Sequence, residues 1–290
     1  MEIRVIEISK DKLNEFITTH KVIGEGTEGT CYKVGNKVYK IYHNLYGTVG
    51  RNEHIKVDKE GVRIYKKRDY KDFHFKRGPI LSYQDSEGVS LTVRDGLNRA
   101  MDKGLKIIKT RLPEKIITVD GRVKGCVYPY YKFTRGIYKS FRKTFKTRLK
   151  ICKDLLIKVQ ELLDNNIYPV DLCNKNKTKI FNKNDNNVLL DLKNKPIIID
   201  LEGRSTLYTD YNNPSLKSKS YYSLTLLILE ILTKEILTIP LEEEAIDEVY
   251  SILYDFGLSD ELIYNILNDD VSRDDIDQIM EIAEKKLCKH

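Results

Sequence analysis

Thr19-His20-Lys21-Val22-Ile23-Gly24-Glu25-Gly26-Thr27-Glu28-Gly29-Thr30-Cys31-Tyr32-Lys33-Val34-Gly35-Asn36-Lys37-Val38-Tyr39-Lys40-Ile41-Tyr42 is the stretch on which the fold turns. Thr19 to Ile23 reads as a strand, the three glycines as a turn, and Cys31 to Val34 as a second strand. Gly35-Asn36 turns the chain again, and Lys37 to Tyr42 forms a third strand. Glycine at 24, 26 and 29 keeps Cβ atoms away from the first turn, so backbone N–H groups there are open to an anion. A lone lysine, Lys40, stands on the third strand, eleven residues after Gly29.

Outward from that stretch, Val57 to Val62 and Tyr83 to Val89 read as hairpin turns, which makes residues 43–93 extra β structure. Leu97, Met101, Gly104, Leu105 and Ile108 lie on one helical stripe over 94–110, and Pro113 stops it. Lys115 to Val119 and Val123 to Tyr128 read as strands joined by Asp120-Gly121, and Pro129-Tyr130-Tyr131 suits a hinge. Residues 146–165 form a helix burying Leu149, Cys152, Leu155, Leu156, Val159 and Leu162 or Leu163. Two short apolar strands, Val188 to Leu190 and Pro196 to Leu201, flank an Asn-Lys turn. Ser223 to Thr233 is apolar almost all round, the mark of a helix at the centre of a core. The last fifty residues read as amphipathic helices, with a capping box at Ser272-x-x-Asp275. Strands with one helix, followed mostly by helices, predict an α+β arrangement in two lobes with the boundary near Tyr131.

The second half carries its own chemistry. Asn187 and Asp200 lie 13 residues apart at the ends of the two short strands, so a hairpin would bring them face to face. A carboxylate and a side-chain carbonyl are the hard oxygen donors that Mg²⁺ takes alongside phosphate oxygens. The glycine pattern G-x-G-x-x-G also opens dinucleotide-binding domains, but those need a helix directly after the glycines, and Thr30 to Tyr42 is strand.

In this order the four pieces resemble the protein kinase superfamily. Gly24, Gly26, Gly29 and Lys40 match its G-x-G-x-x-G…A-x-K, with Val38 at the alanine position. Asn187-Val188-Leu189-Leu190 and Ile199-Asp200-Leu201-Glu202-Gly203 match its N-[IL]-[LIV]-[LIV]…[IV]-D-F-G, with Leu-Glu-Gly for Phe-Gly. Tyr221-Tyr222-Ser223-Leu224 onward resembles the central helix D-V-W-S-L-G-x-x-L-x-E-L-L-T, with Ser220 at the aspartate, so one structural hydrogen bond would be lost. The resemblance spans about residues 19–235.

It implies a bilobal protein-kinase-like fold, with a β-rich N-lobe over 1–131, a hinge near 129–132 and a helical C-lobe over 132–290. It implies ATP and Mg²⁺, with Lys40 on the α and β phosphates and Asn187 and Asp200 holding the metal. Asp171 stands where the family's H-R-D-x-x-x-x-N places its base, and Tyr128 and Tyr130 would line the adenine pocket. The His-Arg pair is Pro169-Val170 here, and Asp171 and Asn187 are 16 residues apart, implying an insertion over 173–184. A carboxylate partner of Lys40 would fall near position 100, which makes Asp102 the candidate, with Glu60 and no partner at all as the alternatives. The activation segment is short, and no A-P-E follows Asp200.

Composition sets the remaining bounds. At 290 residues, 41% apolar and 32% charged, the chain has room for one large or two small cores. No apolar run reaches the roughly 18 residues that span a bilayer, and Met1 to Val5 lacks an apolar leader. Five scattered cysteines with no C-x-x-C suit a reducing cytoplasm rather than disulfides or zinc. The net charge of +7 is split: from Leu241 onward 15 acidic residues face 4 basic ones, whereas Lys132 to Lys153 holds nine Lys/Arg and no Asp or Glu. That field suits an acidic or phosphorylated partner, or is simply a solvated face. No histidine is spaced with a serine or cysteine as a hydrolase triad requires.

The leading expectation is a cytoplasmic Ser/Thr protein kinase transferring the γ-phosphoryl of ATP, with a protein substrate that is acidic if 132–153 contacts it. Neither a membrane nor a nucleic acid is expected as a partner. The alternatives are a small-molecule phosphotransferase of the aminoglycoside or choline type, which often has an acid where Glu202 stands, and a pseudokinase interaction module.

Overall fold

Period-two alternation in the glycine-rich stretch does build a sheet, although the sheet is wider than its hairpins. The computed structural model describes residues 4–25, 29–42, 55–57, 63–65, 82–84, 90–92, 113–119, 122–173, 187–199, 201, 206–208, 212–237 and 243–288. Described residues up to Tyr131 fall in one compact unit and those from Lys132 in another.

In the first unit, β1 (Arg4–Glu7) leads into α1 (Lys10–Thr19) and then β2 (Val22–Glu25), β3 (Gly29–Val34) and β4 (Lys37–Tyr42). Short hairpins follow, β5 (Ile55–Val57) with β6 (Arg63–Tyr65) and β7 (Ser82–Gln84) with β8 (Ser90–Thr92). β9 (Lys115–Val119) and β10 (Arg122–Pro129) complete the six-stranded sheet, ordered β1-β9-β10-β4-β3-β2. Among the described strands of this sheet only the β1–β9 pair is parallel; α1 instead carries the chain from β1 at one edge to β2 at the other.

The reading of Thr19 to Ile23 as strand is corrected here: α1 runs through Thr19, and β2 starts at Val22. Ser9 caps α1 by accepting the Lys12 N–H at 3.3 Å. Leu13, Phe16 and Ile17 follow at i, i+3 and i+4 and pack on Tyr32, Tyr39, Ile41, Ile117, Val119 and Val127. Those sheet residues share one face, because a strand sends alternate side chains to opposite sides. Burying one leucine-sized side chain there contributes about 1.5–3 kcal/mol.

In the second unit, β11 (Arg135–Gly136) runs directly into a 3-10 helix (Ile137–Arg142), and α2 (Phe145–Asp164) follows. Next come β12 (Ile167–Pro169), β13 (Val188–Leu190), β14 (Pro196–Ile198), β15 (Thr206–Tyr208) and α3 (Pro214–Thr233). The chain closes with α4 (Glu243–Asp255), α5 (Asp260–Leu267) and α6 (Arg273–Cys288). β11, β13 and β14 form a three-stranded sheet with β13 central, and β12 pairs with β15.

α3 is the core helix that its apolar sequence predicts, and it is longer, starting at Pro214. Asn213 caps it by accepting the Leu216 N–H at 3.1 Å, and Pro214 occupies a first-turn position where its missing N–H costs nothing. Lys234 ends it in the left-handed region at φ 69°. Buried Arg148 of α2 donates to Leu232 O at 3.2 Å and Lys143 O at 2.8 Å, covering one of the carbonyls orphaned at the end of α3. Burial lowers the pKa of that guanidinium, and the neighbouring Cys152 opposes the shift.

Ser272 and Asp275 form the reciprocal cap that their spacing predicts: Ser272 N–H donates to Asp275 Oδ2 at 2.7 Å, and Asp275 N–H to Ser272 Oγ at 3.2 Å. Among the described residues, no helix is long and apolar enough to cross a membrane. The helix expected over 94–110 lies outside the described residues, as do Glu60 and Asp102.

Candidate functional site

Lys40 sits at the middle of the β sheet because β4 is an interior strand. Its Cα pairs with Cys31 on one side and Cys126 on the other, so the three side chains share a face. Gly24 pairs with Cys31 and extends the row, and a Cβ placed there would meet nothing within 4 Å. Lys40 is half-buried, whereas Cys126 and, next in the row, Ile116 are fully buried. This face is the reverse of the one that α1 covers, since Tyr39 and Ile41, on either side of Lys40, both belong to the core under α1.

Gly29 lies at the start of β3, and Gly26 falls outside the described residues. Gly125 lets β10 approach β4 closely, because a Cβ there would run into Lys40 O and come within 3.0 Å of Ile41 Cδ1. Tyr128 is on the Lys40 face of β10, opposite Val38 and nearly buried. Tyr130 follows the strand, donates its N–H to Asn36 O at 2.7 Å, and lies 4.3 Å beneath the Lys33 ammonium.

The second unit holds the carboxylate and amide candidates. Asp171 is exposed in the loop leaving β12, while the next two residues, Leu172 and Cys173, are buried. Their backbone N–H groups both donate to Ser223 Oγ of α3, at 2.8 Å and 3.1 Å. A hydroxyl oxygen has two lone pairs, so one serine satisfies two donors that would otherwise be stranded in the core. The anchoring residue is thus Ser223. Ser220, one turn earlier, donates its hydroxyl to Leu216 O at 2.9 Å within its own helix.

Asn187, half-buried at the start of β13, donates its Nδ2 to Asp171 O at 2.7 Å. That bond ties together two residues 16 apart in sequence. It also uses the amide nitrogen, leaving the carbonyl oxygen, a hard donor, as the atom able to ligate a cation. Asn187 O accepts the Ile199 N–H at 2.8 Å, extending the β13–β14 ladder in which Val188 pairs with Ile198. Asp200 is outside the described residues; it is flanked by half-buried Ile199 and by Leu201, which is 1% exposed.

Glu230 of α3 is fully buried beneath the loop. It accepts from Tyr138 Oη at 2.7 Å, Cys173 Sγ at 3.4 Å and Leu237 N–H at 3.2 Å. Burial, followed by the charge and hydrogen bond of Asp269, pushes the Tyr222 phenol far up, so it stays neutral. Neither Ser223 nor Glu230 was a sequence candidate. A hydroxyl and a carboxylate inside an apolar helix were the available signal, because a buried polar group needs a partner.

No protein-family model matches the chain. No curated protein sequence matches it either. Among solved structures it is similar to an apo pseudokinase, with a TM-score of 0.48 and 9% sequence identity over 98% of this chain and 94% of that one.

Proposed function

We propose that the chain is an ATP- and Mg²⁺-dependent phosphotransferase of the protein kinase type, transferring the γ-phosphoryl group to a Ser or Thr hydroxyl of a protein. The observation that carries the reading is the Asn187–Asp171 bond, which holds a general-base candidate and a hard-oxygen ligand together across the long insertion. Phosphoryl transfer depends on alignment and charge stabilisation, so a rigidly tied loop is the part that the chemistry most needs.

The donor set fits Mg²⁺: Asn187 supplies a side-chain carbonyl, and Asp200 in the I-D-L-E-G match supplies a carboxylate. A bound Mg²⁺ would neutralise charge on the β and γ phosphates. Asp171, exposed and fixed through its own carbonyl, accepts or orients the proton of the acceptor hydroxyl. Lys40 offers its ammonium to the α and β phosphates, and Gly24, where a Cβ would meet nothing within 4 Å, leaves its part of the sheet face open to them.

The test is labelled-phosphate transfer from Mg-ATP to the chain itself or to a generic protein acceptor. Transfer is expected in the wild type and lost in Lys40→Ala and Asp200→Ala. Asp171→Asn is expected to leave ATP affinity nearly unchanged while cutting turnover at least ~10²-fold. Turnover only with an added small alcohol would replace the protein acceptor with a small-molecule one. Absence of any transfer, with no nucleotide binding, would refute the reading.

A further inference from the structure

From Lys139 to Lys153 every exposed residue is basic except Thr144: Lys139, Arg142, Lys146, Lys150 and Lys153. The first two lie on the 3-10 helix, and the other three fall at i, i+4 and i+7 along one face of α2. Among the described residues, Lys153 alone of the five has a carboxylate partner, Glu284 of α6 at 2.6 Å. Neighbours in this row stand about 6 Å apart by helical rise, within a Debye length of about 8 Å at physiological ionic strength. Their fields therefore add, and they repel one another until an anion neutralises them.

The strip also has an address. β11 runs directly into the 3-10 helix, and its Gly136 pairs with Leu189 of β13, two residues beyond Asn187. The row of cations therefore begins one strand away from the residue tied to Asp171.

We propose that this strip docks an acidic protein segment, one rich in Glu and Asp around its Ser or Thr, and so sets the substrate class of the phosphotransferase. The proposal rests on the proposed function for its catalytic half and on charge alone for its binding half. Two observations favour carboxylates over nucleic acid. The strip is already closed at one end by a carboxylate on a helix lying alongside it, Glu284 on Lys153. The aromatics between its cations, Tyr138, Phe141 and Phe145, are all half-buried, the first two packed on each other and Phe145 against Arg148, so they offer bases little open ring face for stacking.

The experiment is fluorescence anisotropy with a labelled alternating Glu-Ser peptide, without nucleotide, and with oligo-dT as a second probe. The proteins are wild type and a fourfold variant, Lys139→Glu, Arg142→Glu, Lys146→Glu and Lys150→Glu. A Lys→Gln and Arg→Gln version of the same four guards against a folding defect, and melting curves are compared. The proposal expects peptide binding that weakens with salt, falls roughly tenfold or more in the Glu variant and falls less in the Gln variant.

Unchanged affinity in the fourfold variant overturns the proposal. So does oligo-dT binding more tightly than the peptide through the same four residues. A peptide that binds at the strip but is never phosphorylated in Mg-ATP keeps the docking surface and overturns the phosphotransferase reading instead. Phosphorylation with the same KM in wild type and the fourfold variant overturns the docking surface alone.

Discussion

Replacing Ser223 by alanine should loosen the catalytic-loop candidate more than its size suggests. The substitution removes one oxygen from a fully buried site and leaves two N–H groups, those of Leu172 and Cys173, without an acceptor. Leu172 is 1% exposed and Cys173 2%, so solvent does not replace the lost partner while the loop is closed. A stranded buried donor costs about 1–3 kcal/mol, which gives a loss of about 2–4 kcal/mol once partial relaxation is allowed. Against a typical stability of about 5–15 kcal/mol, that loss is large.

Thr225, two residues along the same helix, provides the opposite case. It is fully buried, and among the described residues its Oγ1 has no hydrogen-bond partner. Thr225→Val keeps the shape and removes the unsatisfied hydroxyl, so it should be neutral or stabilising by up to about 1 kcal/mol. Urea unfolding measures both, and amide exchange at 172 and 173 localises the first. Equal effects of the two substitutions, or unchanged protection at those amides in Ser223→Ala, would refute the hydrogen-bond argument.

Gly125→Ala should destabilise the first unit by about 1–3 kcal/mol, because its Cβ meets backbone at Lys40 and cannot be relieved by a rotamer change; thermal melting checks this. Ser272→Ala should cost about 1 kcal/mol through loss of the reciprocal cap of α6, read by urea midpoint at unchanged slope. Burial raises both the Cys152 thiol and the Tyr222 phenol above their unfolded values. The neutral forms are favoured in the folded state, so the contribution is complete below the ordinary thiol and phenol range, about 8.5 and 10, and is lost as pH climbs above it. Unfolding free energy measured from pH 7 to 11 should therefore fall on the alkaline side, less steeply in Cys152→Ala. A thiol reagent should modify exposed Cys288 first and leave Cys126, Cys152 and Cys173 untouched until the chain unfolds.

Much of the fold was legible because single elements carry strong periodic signals. The Lys115 and Val123 strands, the helix near 146–165, the two hairpins within 43–93 and the Ser272 cap all stand close to their sequence-read limits. The α+β order followed from them. α1 was not legible and the strand was begun too early at Thr19, because α1 is polar outside Leu13, Phe16 and Ile17 and earns its helix from the sheet face it covers. β12 and β15 are three residues each and pair across a long stretch of chain, so their local pattern is too short to announce them.

In the site, residue types were legible but connections were not. The bond between Asn187 and Asp171 joins residues 16 apart, and nothing in that spacing says that the two meet. Ser223 was visible only as the small residue of an apolar helix; that its hydroxyl, and not that of Ser220, serves the loop depends on helix phase against a distant strand end.

The most direct test of the central claim is a crystal structure with a non-hydrolysable ATP analogue and Mn²⁺ in place of Mg²⁺, read by anomalous scattering. The account predicts a metal peak at about 2.0–2.3 Å from both Asn187 Oδ1 and an Asp200 carboxylate oxygen, also touching the phosphates, with the Asn187 Nδ2 bond to Asp171 O intact. Nucleotide bound with the metal away from both residues, or an Asn187 amide turned to present its nitrogen to the ion, would contradict it.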